Sequence, residues 1–258
     1  MRPSRRRSPV STVRTNGRPR IRTPRAVRLW FVTAEPPRSG ALSDLLREIE
    51  VGRWPEADGA VRVIRQPPDG DAAVLGFTAH IVVAADVEPE WVAERLPPGD
   101  LSAPLNPPFL AALCERLDRR VNCLDLVAYA TALDDSPPVP LTPDGDAAHP
   151  RVHRARHYRT DAEVWTTEGG IVVLGRGLAG RLEVAFEVDP HHRGRGLGRA
   201  LALSARHLVR EIEPAAIGVW AQVSPGNAAS VRALFAAGYQ AVGSEALLVP
   251  MARRLPGG

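Results

Sequence analysis

At 258 residues the chain is long enough to bury one large core or two small ones. Its two cysteines, Cys114 and Cys123, have no metal or redox spacing, and no run of about 20 apolar residues occurs, so a soluble cytoplasmic protein without metal or membrane partners is expected. The formal net charge of +4 resembles a nucleic-acid binder's, but residues 1–28 hold ten Arg and no acid, leaving 23 basic against 29 acidic residues in an acidic body.

The leading segment, Met1-Arg2-Pro3-Ser4-Arg5-Arg6-Arg7-Ser8-Pro9 onward to 28, combines like charge and proline without apolar periodicity, which predicts a disordered tail. A solvated extension or over-long gene model is the plain reading. A polyanion-binding arm and a targeting peptide are the alternatives, although no apolar core follows Arg5-Arg6-Arg7 as a secretory signal requires. Every basic residue is Arg and none is Lys, a bias of GC-rich, hence bacterial, genomes.

Residues 29–135 read as an N-terminal α/β region. Val27 to Thr33 is a predicted strand, Ala41 to Glu50 a short amphipathic helix and Val61 to Arg65 a strand. Ala73 to Ala85, apolar and β-branched, reads as one long strand containing a structural His80. Pro89 opens a helix to Leu96, broken by Pro97-Pro98-Gly99-Asp100. Pro107-Pro108 opens another, with Leu110, Leu113, Leu117 and Val121 on one face, and Leu124 to Leu133 is a strand.

Residues 136–150, rich in Pro, Asp and Gly, form the best linker candidate, followed by a second region over 151–258. Val152 to Tyr158 fits strand and helix equally. Glu163 to Thr167, the Glu168-Gly169-Gly170 turn and Ile171 to Leu174 read as a hairpin. Gly175-Arg176-Gly177-Leu178-Ala179-Gly180 satisfies the G-x-G-x-x-G dinucleotide fingerprint, which needs a helix directly after it. Arg181 to Val188 instead alternates with period two toward Pro190, so the glycines are expected to turn between antiparallel strands.

The stretch after that strand carries the chemistry. Arg193-Gly194-Arg195-Gly196-Leu197-Gly198-Arg199 precedes a helix in which Leu197, Leu201, Ser204 and Leu208 recur through Ile212. Three glycines let the backbone approach a ligand, first-turn N–H groups point at an anion, and the arginines add charge suited to phosphate. The strand Ile217 to Val223, then Ser224-Pro225-Gly226-Asn227-Ala228-Ala229-Ser230, a helix to Ala237 and Gly238-Tyr239 complete the chain's ordered pattern.

These motifs resemble the GCN5-related N-acetyltransferases (GNAT), whose Arg/Gln-x-x-Gly-x-Gly/Ala signature is filled by Arg193, Gly196 and Gly198. Asn227 with Gly238-Tyr239 is similar to the family's ending. The resemblance covers roughly the last eighty residues. It implies an α/β GNAT fold, with a mixed, mostly antiparallel sheet whose central strands splay, preceded by the N-terminal α/β region. The family's first strand and two helices find little room between Asp146 and Asp161. Either residues 73–133 supply them with an inserted loop, or the N-terminal part is a separate α/β domain, for which a reduced copy of the same fold is one option although no clear internal repeat is seen.

The resemblance further implies acetyl-CoA as co-substrate and transfer of acetyl to a primary amine of a small molecule or peptide. Phe186, Glu187 and Val188 would hold the pantetheine arm, and Gly194, Arg195, Gly196, Leu197, Gly198 and Arg199, with Arg193, the pyrophosphate. Asn227 would face the cofactor or simply cap its helix. Glu183 and Glu187, four apart on one strand face, are the general-base candidates, Glu187 first. The family's acid tyrosine falls at Leu234, and Tyr239 reads as core. His191 and His192 read as surface turn residues. That missing tyrosine leaves a silent acyl-CoA-binding regulator or scaffold as the rival reading. Nucleic acid is expected only through the tail, a homodimer is compatible with the reading, and the acidic body favours a cationic acceptor.

Overall fold

The computed structural model describes residues 32–34, 40–68, 70–145 and 148–253. The tail, the N-terminal end of the strand expected from Val27, and the end of the chain lie outside the described residues. In chain order the elements are β1 (Val32–Ala34), α1 (Ala41–Glu50), β2 (Val61–Ile64), β3 (Ala72–Phe77), β4 (His80–Ala84), α2 (Pro89–Ala93), α3 (Pro107–Leu117), β5 (Arg119–Thr131), β6 (Thr142–Pro143), α4 (Pro150–Tyr158), β7 (Thr160–Thr167), β8 (Gly170–Arg176), β9 (Leu182–Val188), α5 (Leu197–Ile212), β10 (Gly218–Val223), α6 (Ala228–Ala236) and β11 (Gln240–Pro250).

All eleven strands belong to one sheet, ordered β1-β2-β4-β3-β11-β5-β10-β9-β8-β7-β6. Strands from the two halves of the chain interleave in its middle. β5 lies between β10 and β11, antiparallel to both, and β11 lies between β5 and β3. The sheet therefore runs without a break across the division expected at residues 136–150.

Three expectations change in detail. The apolar run from Ala73 folds as a tight β3–β4 hairpin, because Ala79 takes a left-handed conformation at φ 49° and its carbonyl accepts from the Gly59 amide at 2.8 Å. The face expected to end in Val121 stops at Leu117, where Asp118 adopts φ 51° and sends the chain into β5, leaving Val121 exposed. The helix from Pro89 ends at Ala93 rather than Leu96. The ambiguous 152–158 segment is helical: Pro150 suits a first helical position, and the Nδ1 of His149 accepts from the Arg151 amide at 3.0 Å.

Helices cover both faces of the sheet. α5 buries Leu201, Ala202, Ala205, Leu208 and Val209 against β8, β9 and β10, joined by Leu234 of α6. Tyr239 belongs to this core, its hydroxyl donating to the Ala202 carbonyl at 3.2 Å. On the opposite face α1 packs Leu42, Leu46 and Ile49 with Trp220 and Leu178. His80 is buried and hydrogen-bonds Asp58 at 2.9 Å, a structural role. Among the described residues no helix is long and apolar enough to cross a membrane.

Candidate functional site

β9 pairs with β8 along its whole length, from Arg176↔Leu182 to Gly170↔Val188. On its other edge it pairs with β10 only at Glu183↔Trp220 and Val184↔Ala221. Beyond these two positions the parallel strands part, and among the described residues no strand pairs with the backbone of Ala185, Phe186, Glu187 and Val188 on that side. Unpaired backbone groups of this kind need another partner. All four residues are half-buried, so the opening is a slot in the sheet rather than a frayed end.

At the far end of β9 the expected glycine turn forms. Gly194 and Gly196 have φ of 76° and 86°, a region costly for any residue with a Cβ, and Gly196 is the residue before α5. Among the described residues no side chain caps α5, so its first-turn N–H groups are left without a capping acceptor. Arg193 folds back to donate to the Val188 carbonyl at 3.0 Å, bracing the turn. Arg195 and Arg199 are exposed and have no carboxylate partner among the described residues. Leu197 and Gly198 are half-buried beneath them, with Gly198 near Phe186, Val188 and Ala233. The turn thus supplies free donors, cationic side chains and open space above the glycines, a donor set suited to a pyrophosphate.

The slot opens into a cavity of about 880 Å³ lined by both halves of the chain, including Asp125 of β5, Tyr158 of α4, Phe186 of β9 and Val223 of β10. Asn227 lies on its wall and caps α6, its carboxamide oxygen accepting from the Ser230 amide at 3.1 Å. Leu234 is buried core, and Phe235 beside it is exposed. The aromatic hydroxyl that the cavity does contain is that of Tyr158, which donates to Asn122 at 2.9 Å. Among the described residues no three His, Cys, Asp or Glu side chains gather as a metal set.

Glu183 and Glu187 sit in different surroundings despite sharing a strand. Glu183 is enclosed: Arg159 donates at 2.8 Å, Arg181 at 2.8 Å and Gln222 at 3.1 Å, while the Leu178 amide approaches at 3.3 Å. Burial opposes its ionisation, but the two guanidiniums outweigh that and hold its pKa below the usual carboxylate value. Arg181 also pairs with the buried Glu245 at 2.8 Å. Glu187 is one-third exposed, bonded by Arg151 at 3.0 Å, and does not line the cavity.

Sequence reasoning did not single out Asp125. It follows one residue beyond the last β5–β10 pair, Leu126↔Val223, and stands opposite Glu245 in the β5–β11 register. Three carboxylates thus converge on this sheet face, and Arg159 and Arg181 serve Glu183 and Glu245. Asp125 has no ion pair among the described residues. Burial, chiefly, and the charge of Glu183 raise its pKa, against the lowering effects of the Cys123 thiol and Arg154. No local pattern marks it; its position depends on a strand from the N-terminal half being inserted beside β10.

The antiparallel β7–β9 meander, the parallel strand that leaves β9 halfway and the glycine turn into a helix make this an α/β fold of the GNAT type. No family model and no curated protein matches the sequence. Solved structures that overlap it include GNAT proteins. One is a GCN5-related N-acetyltransferase from Kribbella flavida, 19% identical over 58% of this chain and 64% of that one, with a TM-score of 0.38. Another is an acetyltransferase of the family from Novosphingobium aromaticivorans, 16% identical over 52% of this chain and 69% of that one, at 0.37. A third is a tandem GNAT protein from the clavulanic acid biosynthesis pathway, 11% identical over 55% and 58%, also at 0.37. The chain spans less than two thirds of the Kribbella protein.

Proposed function

We propose that the protein is an N-acetyltransferase that moves acetyl from acetyl-CoA to a primary amine of a small molecule or peptide, by direct attack while both are bound. The observation that carries this reading is the parting of β9 from β10 directly beside the glycine turn, with the cavity behind it. In this reading the free edge of Phe186, Glu187 and Val188 holds the pantetheine arm, and residues 193–199 hold the pyrophosphate. Asn227 lines the cofactor side while capping α6. The composition, rich in Arg and free of Lys, goes with a bacterial cytoplasmic protein.

Acetyl-CoA would supply the activated acyl group; the chain must bind it, bring the amine to it and remove a proton. The ammonium loses one proton, its nitrogen forms the bond to the acetyl carbon as the carbon–sulfur bond breaks, and a second nitrogen proton goes to the departing thiolate. A carboxylate already bonded by two arginines accepts a proton poorly, so we assign Glu183 to holding Arg159 and Arg181 rather than to proton transfer. Asp125, in the cavity and raised in pKa, is assigned the first proton, with the one-third-exposed Glu187, outside the cavity, second.

The test is thioester consumption over a panel of primary amines. Turnover by the wild type, reduced on the order of 10²–10⁴-fold in Asp125→Asn with acetyl-CoA binding retained, supports the reading. Binding of acetyl-CoA without turnover of any amine favours the silent acyl-CoA-binding regulator instead.

A further inference from the structure

The sign of the cavity wall is opposite to that of the body. Seven arginines line it against three carboxylates. The arginines of the glycine turn, Arg193, Arg195 and Arg199, are not among the seven, so the wall is cationic beyond what the phosphates of a CoA would require. Four of the seven are paired: Arg151 with Glu187, Arg159 with Glu183, Arg176 with Glu213 and Arg253 with Asp71. A fifth, Arg156, donates to the Gly145 carbonyl.

Arg65 and Arg154 remain, neither with a carboxylate partner among the described residues, and Arg154 is the one that stands with Tyr158 on the wall. It projects from α4 with its guanidinium 5.3 Å from the centre of the Tyr158 ring. Tyr158 in turn donates to Asn122, three residues before Asp125 on β5, so these groups occupy one region of the wall. Arg154 and Asp125 line the same cavity, yet no ion pair forms between them. A cation and an anion that share a cavity without meeting leave room for a ligand carrying the complementary pair of charges, which would gain a charge-assisted bond at each end.

Building on the acyl-transfer reading, we propose that the acceptor is a small zwitterion, a primary amine that also bears a carboxylate or phosphate, with its ammonium at Asp125 and its anionic group at Arg154. The acidic body taken alone favours a cationic acceptor, but the wall that would touch the acceptor carries the opposite charge. Binding can be measured without turnover. Protein saturated with CoA is titrated calorimetrically with γ-aminobutyrate, 6-aminohexanoate, O-phosphoethanolamine, n-butylamine and 1,4-diaminobutane.

At least one of the anionic amines is expected to bind roughly tenfold or more tightly than butylamine, since one charge-assisted bond is worth about that factor. The carboxylate and phosphate arms tell which anion is preferred. Arg154→Ala, at an exposed helix position, should erase the preference and leave the CoA-induced thermal shift intact. The proposal is overturned if diaminobutane binds best, if all five bind alike, if none binds to CoA-loaded protein, or if Arg154→Ala keeps the preference. Loss of the acyl-transfer reading itself would look different, as the absence of any thermal shift with CoA.

Discussion

Gly177 stands where any Cβ would overlap the carboxylate of Glu183. The glycine of an apparent dinucleotide fingerprint therefore serves a buried acid: the turn between β8 and β9 wraps the carboxylate and lets the Leu178 amide approach it at 3.3 Å. Because Arg159 and Arg181 hold that carboxylate in place, it cannot swing aside cheaply. Gly177→Ala should destabilise the fold by about 1–3 kcal/mol, the usual cost of overpacking, read as a lower denaturation midpoint at an unchanged m-value. An unchanged midpoint would show that Glu183 is free to move.

Glu183→Gln leaves Arg159 and Arg181 with less negative charge in a buried place, and breaking such a pair costs about 3–5 kcal/mol. The pH dependence has a defined sign. Since the folded pKa of Glu183 is lowered, its contribution is present above the unfolded carboxylate value and is lost as pH falls through the folded one. The stability gap between wild type and Glu183→Gln should therefore be full at neutral pH and close in acid, in chemical denaturation at a series of pH values.

Asp125 predicts the reverse. Its folded pKa is raised, so its ionised form costs stability at neutral pH, and the cost vanishes below the unfolded value, where it is protonated in both states. Asp125→Asn should accordingly unfold at a higher temperature than wild type at neutral pH and show little advantage below about pH 4. Gaining stability while losing turnover is the pattern of a group kept for function. A destabilised Asp125→Asn at neutral pH would contradict the environment described for this carboxylate.

The interleaving of β5 and β11 makes a prediction about the halves. Residues 151–258 expressed alone would leave β10 and β11 without the strand that joins them, and β11 without β3. That fragment should lack a cooperative thermal transition, whereas the full chain melts in one. Independent cooperative melting of the fragment would show that the two regions fold separately.

Local features of this protein were legible in its sequence and long-range ones were not. The turn at Gly194 and Gly196 could be read because three glycines among arginines at a helix start constrain the backbone wherever the helix lies. The β3–β4 hairpin was missed because its turn, Thr78-Ala79, contains no Gly, Asn or Pro and interrupts a run with one uniform apolar character. α4 was ambiguous because only Val152 and Ala155 are buried in it, too few to define a period. Asp125 gave no signal at all. A lone acid in a strand gains meaning only when the sheet order places it beside Glu245, near Glu183 and at the edge of a cavity, and sheet order is set by pairings more than a hundred residues apart.

The central claim, that the parted strands and the glycine turn bind an acyl-CoA, is tested most directly by thermal unfolding with and without acetyl-CoA. A ligand bound only by the folded protein adds about 2.7 kcal/mol at a hundredfold excess over Kd, enough for a clear rise in Tm. Gly196→Asp places a side chain in a left-handed backbone position and a negative charge where phosphate should sit, so it should remove that rise while the protein alone still melts cooperatively. No rise with the wild type, or an equal rise with Gly196→Asp, would contradict the account.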